Sequence, residues 1–328
     1  MRGKELIGVD EVIFALARSD LPHGFVFEKK KWDSPLMCRA EFMALSQRDG
    51  KIFVSINLPR FLRKTNKHPF RVSETRACGE MVSYVLSFLS SYGLENAQVQ
   101  TAEVNLTLNV AKYTTTDQVL RLFNYCFDKQ DYGKSFAAFS SVKRLGLATH
   151  TKRMECVKTQ KSADGSHLLK IYDKNEQLGI VNGQELLRIE MVIQRRELFR
   201  LFEDRSLEGI INDDGINKLV GYFCKTWMEY TAPRINKYRK GVQKELERQL
   251  ALSAERCSRG FAFDAFTFVS GYYFLDADVL KRGISAFCRK TGRRSSQTSI
   301  YNNLITRYDF IPSGIDDVFE IIKKICTK

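Results

Sequence analysis

Residues 168–174 (Leu-Leu-Lys-Ile-Tyr-Asp-Lys) alternate apolar and polar side chains over most of their length. A period of two is typical of a β-strand that turns one face toward a core. We therefore expect the aliphatic side chains to face inward. Lys170, Tyr172 and Lys174 would then share the opposite face of the strand.

A second segment, residues 186–193 (Leu-Leu-Arg-Ile-Glu-Met-Val-Ile), follows after a short polar loop and has the same period. Its apolar positions alternate with Arg188 and Glu190, which would lie together on one face. If the two strands pair, a phenol, ammonium groups, a guanidinium and a carboxylate meet on one side of a sheet. Such a surface suits phosphoryl transfer: tyrosine as nucleophile, carboxylate for a divalent cation, and basic groups for phosphate.

Residues 104–110 (Val-Asn-Leu-Thr-Leu-Asn-Val) predict a third strand, with strict alternation along its whole length. Asn105, Thr107 and Asn109 share its polar face. An amide-rich row on a strand favours a functional surface over a merely solvated one. The alternative for Tyr172 stays open: on spacing alone, it is a half-buried packing residue of a mixed strand.

The order of these motifs resembles a known family. An Asn-Leu-Pro segment with basic neighbours (56–63), the polar alternating strand, a Tyr-x-Lys strand and an Arg-x-Glu strand follow one another. The same order is found in the replication initiators of filamentous phages, the gene II/X family, which is related to the trans-acting Rep proteins of rolling-circle plasmids. The resemblance covers roughly residues 50 to 200.

The resemblance implies roles for individual residues. Tyr172 matches the tyrosine that nicks the origin and stays linked to the new 5′ phosphate, and Glu190 matches the glutamate that helps to bind Mg²⁺ or Mn²⁺. On the polar face that these strands would share, we expect Lys174 to stabilise charge beside that phosphate and Lys170 and Arg188 to hold neighbouring phosphates.

The chain departs from the family at the metal site. Asn105 stands where the family usually has the aspartate of an Arg-Ile-Asp segment, so this site has one fewer anionic ligand. Glu103 lies two residues earlier, can face the same way, and is a candidate to compensate.

Charge and composition favour a polyanionic partner. The chain has 328 residues, with 52 Lys and Arg against 38 Asp and Glu and a formal charge of +14. This excess favours a polyanion, and the resemblance implies that the polyanion is DNA, both the double-stranded origin and the single nicked strand. No apolar run reaches the roughly 18 residues that span a bilayer, and no signal pattern opens the chain, so we expect a cytoplasmic protein with no membrane partner.

Other composition signals narrow the class. The eight cysteines form no Cys-x-x-Cys pair and do not predict a zinc site; reduced thiols are expected. No glycine-rich phosphate loop is present, so the chain carries no ATPase signal. A host helicase is then the expected source of strand separation, and a homodimer stays open.

The pattern predicts two domains. Residues 1–205 mix strands with amphipathic helices, among them 116–127, which Thr116 or Asp117 can cap. They predict an α+β fold, a mainly antiparallel sheet with helices on one face and the polar face left for DNA. Residues 206–328 read as helical. Within them, the stretch 281–307 has seven Lys and Arg and no Asp or Glu.

This basic stretch predicts a DNA-binding helix-turn-helix. Arg289, Lys290, Arg293 and Arg294 surround a glycine turn that leads into a helix with Ser, Gln, Tyr and Asn side chains, which suits phosphate and base-edge contacts. A solvated basic helix is the alternative.

The sequence as a whole predicts a rolling-circle initiator that nicks its origin and transfers the strand through a phosphotyrosine intermediate. The competing hypothesis is a DNA-binding regulator on the same fold that has lost its metal, which the change at Asn105 favours. A sheet-platform RNA-binding protein is a third class, but the aromatic-rich strands that stack bases are missing.

Overall fold

A computed structural model describes residues 6–17, 43–48, 51–64, 67, 69–70, 74–90, 98–127, 138–144, 152–159, 166–179, 184–256, 277–290, 292 and 314–327. Within these residues, eight strands form one sheet in the order β2-β3-β1-β4-β8-β7-β6-β5, and every neighbouring pair is antiparallel. The strands are β1 (Ile7–Ala17), β2 (Met43–Arg48), β3 (Lys51–Asn57), β4 (Gln98–Asn109), β5 (Ala138–Arg144), β6 (Lys152–Thr159), β7 (His167–Asp173) and β8 (Leu186–Gln194).

The described helices precede, connect and follow these strands. They are α1 (Leu58–Arg63), α2 (Thr75–Ser90), α3 (Thr116–Phe127), α4 (Lys174–Leu178), α5 (Arg195–Leu201), α6 (Leu207–Ile210), α7 (Asp213–Thr226), α8 (Ala232–Arg256), α9 (Ala277–Lys290) and α10 (Ile315–Cys326). A π-helical turn, Trp227–Thr231, joins α7 to α8 without a break. None of the described helices is both long and apolar enough to cross a membrane.

The α+β class and the antiparallel sheet are confirmed. Strand β4 is longer than the 104–110 segment predicted, and helix α3 has the bounds that its apolar stripe predicted. The predicted strand 168–174 is wrong at its last residue. Asp173 caps a new helix with its side chain, so Lys174 is the first residue of α4 and leaves the strand alternation.

Strand alternation and helix periodicity build one apolar core among the described residues. Val104, Ile171 and Ile189 from the sheet belong to the same buried cluster as Phe223 and Val318 from the later helices. The later helices therefore complete the core that the sheet begins.

An aromatic contact joins the two halves of the chain. The ring centroid of Phe123 on α3 lies 5.9 Å from that of Trp227 and 6.1 Å from that of Phe319 on α10. The proposed boundary near residue 205 stays a prediction, but it falls within a shared core. Cutting the chain there would expose Phe123 to water, so experiments on function are better done with the full chain.

Trp227 should therefore support the sheet as well as the helices. It is 1% exposed, and replacing it by alanine removes a large buried side chain, so we expect Trp227→Ala to lower the free energy of unfolding by about 3 to 5 kcal/mol. Tyr230, one turn away and 62% exposed, is the control. Tyr230→Ala should change the free energy of unfolding by about 0.5 kcal/mol or less. Urea unfolding measures both. Equal small effects would contradict a core shared across residue 205.

Candidate functional site

Sheet register brings the polar residues of three strands onto one face. Asn105 on β4 pairs with Glu190 on β8, and Glu190 pairs in turn with Lys170 on β7. Two residues away along the same strands, Arg188 on β8 pairs with Tyr172 on β7. The predicted common face of these strands is thus formed by the register, with apolar neighbours such as Ile189 on the other side.

Lys170 lies between two carboxylates. Its Nζ donates to Glu103 Oε1 at 2.8 Å and to Glu190 Oε1 at 2.7 Å. The Tyr172 hydroxyl donates to the second oxygen of the same carboxylate, Glu190 Oε2, at 2.8 Å. Glu190 therefore accepts from both the ammonium and the phenol, and it links the candidate nucleophile to the candidate phosphate-binding lysine.

Arg188 meets an acid that the sequence analysis did not select. Asp10 Oδ2 on β1 lies 3.5 Å from Arg188 Nη1, and both side chains are buried. Asp10 stands at a register shift of β1 against β4, between Val9 and Glu11. A sequence signal was present: two consecutive acids interrupt an otherwise apolar strand, which is unusual unless both are paired or used.

The polar face is closed at its centre. Asn105 and Arg188 are fully buried, and Glu190 is 3% exposed. The expectation of a polar face left open for DNA is wrong at these positions in this conformation, because the ion pairs and the surrounding protein cover them. Lys170, with 23% of its side chain exposed, is the most accessible member of the ion pairs.

Burial and neighbouring charge shift the pKa values of the two glutamates in opposite directions. Burial raises the pKa of Glu103, and the nearby Glu190 carboxylate raises it further. Burial also acts to raise the pKa of Glu190, but the hydrogen bond with Glu103 and the charge of Lys170 outweigh it and lower that pKa. Of the two carboxyl groups, Glu103 is therefore the one that holds a proton, while Glu190 stays ionised.

The same surroundings act on the phenol and the ammonium. Burial raises the pKa of Tyr172, and the Glu190 carboxylate raises it further, so the phenol stays protonated at neutral pH. Burial opposes the charge on Lys170, but its contacts with Glu190 and Glu103 prevail and raise its pKa. Deprotonating Tyr172 therefore requires either a base in contact with it or an approaching positive charge.

Lys174 is positioned by a helix cap. Asp173 Oδ1 accepts hydrogen bonds from the backbone N–H groups of Asn175 at 2.9 Å and Glu176 at 3.2 Å. Asp173 Oδ2 accepts from Thr116 Oγ1 at 2.6 Å, which joins this cap to the start of α3. The Lys174 Nζ lies 5.7 Å from the centroid of the Tyr172 ring and donates to Gln177 Oε1 at 2.6 Å. Lys174 thus reaches Tyr172 from a helix and not from the strand.

The residue whose side chain caps α3 is also not the predicted one. Thr115 Oγ1, one residue before the helix, accepts from the Gln118 N–H at 3.3 Å. Asp117 instead pairs with Arg121 at 2.7 Å, and Thr116 donates to Asp173.

The proposed metal ligands lie together but do not form a metal site as they stand. Lys170 occupies the space between Glu103 and Glu190, and no group of three or more His, Cys, Asp or Glu side chains in the described ranges is arranged to hold a metal ion. Both polar atoms of the buried Asn105 amide lack a hydrogen-bond partner there. Binding of Mg²⁺ or Mn²⁺ stays a prediction, and it requires Lys170 to move.

The C-terminal basic residues are only partly described. Arg289 and Lys290 are exposed in the last turn of α9, and Lys290 Nζ pairs with Glu247 of α8 at 2.7 Å. Arg293, Arg294 and the predicted recognition helix lie outside the described residues. The helix-turn-helix therefore stays a prediction.

Comparison with known proteins assigns no family. No protein-family model matches the chain, and a search of curated protein sequences finds no similar protein.

Lys174 gives the site a pH dependence. Burial and the nearby Arg188 charge lower its pKa to about 7 from an ordinary 10.5. Between these values the unfolded chain binds more protons than the folded one, so this group makes stability fall as pH drops from about 10 to about 7. We expect the free energy of unfolding of wild type minus that of Lys174→Met to rise with pH across this range, by at most about 1.4 kcal/mol per pH unit.

Lys218→Met is the control, since Lys218 is an exposed lysine of α7 paired with Asp214. Urea unfolding at several pH values should give a flat difference for this variant. A flat difference for Lys174→Met as well would mean that Lys174 keeps an ordinary pKa in the folded protein.

Proposed function

We propose that this chain is a DNA nicking and strand-transfer enzyme that starts rolling-circle replication, with Tyr172 as nucleophile. The hydrogen bond from the Tyr172 hydroxyl to the ionised Glu190 carboxylate carries the proposal. A phenol in contact with a carboxylate and flanked by Lys170 and Lys174 has the parts that phosphoryl transfer needs: a nucleophile, a proton acceptor and positive charge. The motif order of the chain supports the same assignment.

In the proposed reaction, the Tyr172 oxygen attacks the scissile phosphorus and its proton passes to Glu190. The bond between phosphorus and the 3′ oxygen breaks, and the leaving oxygen takes a proton to become a free 3′ hydroxyl. The 5′ phosphate remains bonded to Tyr172. Transfer of that phosphate to another 3′ hydroxyl reverses the same steps and rejoins the strand.

Lys170 makes this proton transfer responsive to substrate. Its ammonium lowers the pKa of Glu190 while it is bonded there, which makes Glu190 a weak base. An incoming phosphate would compete for the partly exposed ammonium. If Lys170 turns toward the phosphate, Glu190 loses that partner and its pKa rises, so the base strengthens when substrate is present.

A divalent cation would have to take the place that the Lys170 ammonium occupies. Glu190, Glu103 and the Asn105 carbonyl oxygen are the donors that would then hold Mg²⁺ or Mn²⁺, whose contribution is to neutralise charge on the phosphate. Duplex origin DNA, the single nicked strand and a host helicase are the partners that the proposed activity implies.

One observation favours a different function. The ammonium between Glu103 and Glu190 supplies the charge that a metal ion would supply, so the site is neutralised without one. A DNA-binding regulator that no longer cleaves DNA would also keep this arrangement. Duplex binding without a covalent product would favour that second function.

The nucleophile is tested by Tyr172→Phe, which removes only the attacking oxygen. We expect the variant to form no covalent DNA adduct while it keeps duplex binding within a few fold, because phosphate contacts elsewhere are unchanged. The substrates are labelled supercoiled plasmids that carry DNA from around the coding sequence. The measurement is the amount of labelled DNA that stays attached to the protein after the protein is denatured.

The matched control is Tyr222→Phe. Its hydroxyl is bonded to His167 Nδ1 at 3.0 Å, so this variant also removes a bonded phenol oxygen but outside the site. It should still form the adduct. An adduct in Tyr172→Phe would exclude Tyr172 as the nucleophile and direct attention to Tyr132, which lies outside the described residues. Binding by wild type without any adduct would support the regulator.

Asn105→Asp tests the metal ligands without relying on activity. In the absence of metal, an added carboxylate next to Glu190 on a buried rung should lower the melting temperature, because a buried like charge is uncompensated. Mg²⁺ or Mn²⁺ should restore part of that loss in the variant. Thermal unfolding with and without each metal measures this.

The second variant for this test is Asn109→Asp, at the exposed end of the same strand, which should show neither effect. Restoration only in Asn105→Asp supports Asn105 as part of a cation site. If metal leaves the melting temperature of Asn105→Asp unchanged, cations do not bind here, and the charge of Glu190 is compensated by the protein's own cations, Lys170 in contact with it and Arg188 nearby.

A further inference from the structure

A groove separates α8 from α9 on the C-terminal side of the chain. Its volume is about 1350 Å³, and one face of α8 supplies most of its wall. Phe287 and Lys290 of α9 contribute to the opposite wall. The proposed nicking reaction does not use this groove.

Positive charge dominates the groove. Lys237, Lys240, Lys244 and Arg248 line it and are exposed, at successive intervals of three or four residues, so they lie on one face of the helix. The acid that lines it is Glu247, whose charge is already engaged by Lys290 at 2.7 Å. In the described part of the chain, Lys237, Lys240 and Lys244 have no ion-pair partner.

The spacing of these cations matches a phosphate backbone. From Lys237 to Arg248 the helix rises by about 16 Å, at ~1.5 Å per residue. One strand of duplex DNA presents a phosphate about every 3.4 Å along its axis, so roughly five phosphates lie within that length. A row of four cations is therefore long enough to follow one strand.

The helix that carries this row is held firmly. Arg239, on another face of α8, is buried and forms an ion pair with Asp316 of α10, and Arg282 of α9 bonds the same carboxylate. Arg234 Nε donates to the backbone oxygen of Cys126 on α3 at 3.1 Å. Some basic residues of α8 thus fix the helix to the core and others face the groove.

The groove does not suit single-stranded DNA. Binding of single strands uses exposed aromatic rings on which bases stack. Of the described residues that line the groove, the aromatic one is Phe287, which is 3% exposed and packs in the core. The side chains of this groove can therefore recognise the charge of a phosphate backbone, but they cannot stack on bases.

We propose that the α8–α9 groove binds the phosphate backbone of duplex DNA through Lys237, Lys240, Lys244 and Arg248. The choice of DNA as the polyanion rests on the proposed function. The groove would hold duplex DNA in a sequence-independent way, and base recognition would come from elsewhere in the chain.

The experiment uses the full chain with Lys237→Gln, Lys240→Gln and Lys244→Gln combined, since glutamine preserves helix propensity and removes three charges. The control removes the same charge from exposed lysines outside the groove: Lys218→Gln, Lys225→Gln and Lys324→Gln. Fluorescence anisotropy measures binding of a labelled random-sequence duplex and of its single strand at several salt concentrations. Circular dichroism checks that both variants are folded.

The groove variant should bind duplex more weakly than wild type, and its slope of log affinity against log salt should be smaller by about 2 to 3. The control should keep a slope close to wild type. Equal slopes in wild type and groove variant would overturn the proposal, as would an equal decrease in both variants, which reports net charge alone. Loss of single-strand binding with duplex binding intact would overturn it too.

Covalent adduct formation on the supercoiled plasmids that carry DNA from around the coding sequence is measured on the same proteins, so this proposal and the nicking proposal fail separately. Wild type that binds duplex through the groove but forms no adduct leaves the groove standing and removes the nicking function. Adduct formation with an unchanged salt slope in the groove variant leaves the nicking function standing and removes the groove.

Discussion

The antiparallel register of β4, β8 and β7 is the constraint on which the candidate site depends. It sets Asn105, Glu190 and Lys170 on one rung of the sheet. Because side chains alternate between faces, a shift of one residue in either pairing would place Glu190 and its partners on opposite sides. The apolar residues that alternate with them, such as Ile189, oppose that shift because it would also take them out of the core.

The charged side chains on the polar face compensate one another. Each buried charge has an opposite charge or a hydrogen-bond partner close by: Lys170 with two carboxylates, and Arg188 with Asp10. Removing Lys170 would leave the ionised Glu190 without its ammonium partner, and removing Asp10 would leave Arg188 without its carboxylate; an uncompensated buried charge is costly in a low-dielectric interior. An entering phosphate or cation must therefore exchange partners with Lys170 and cannot simply occupy a vacant site.

The later helices are part of the same structure as the sheet. Helix α3 contacts Trp227 and α10 through Phe123, and its first residue, Thr116, bonds the cap that positions Lys174. The same helix accepts a bond from Arg234 of α8. One helix thus helps to fix both the residues around Tyr172 and the position of the basic groove.

The sequence by itself determined the strand period, the extent of α3, and the set of residues that share a polar face with Tyr172. These follow from local alternation, which the chain carries whatever its partners are. Only the tertiary structure decided that Asp10 meets Arg188, that Lys170 fills the space between Glu103 and Glu190, and that the face is closed. Those contacts join strands far apart in the sequence, and pairing register across such distances depends on which strands become neighbours. Lys174 shows the limit within a single motif: the alternation predicted a strand residue, but the Asp173 cap and its bond to Thr116 made it the start of a helix.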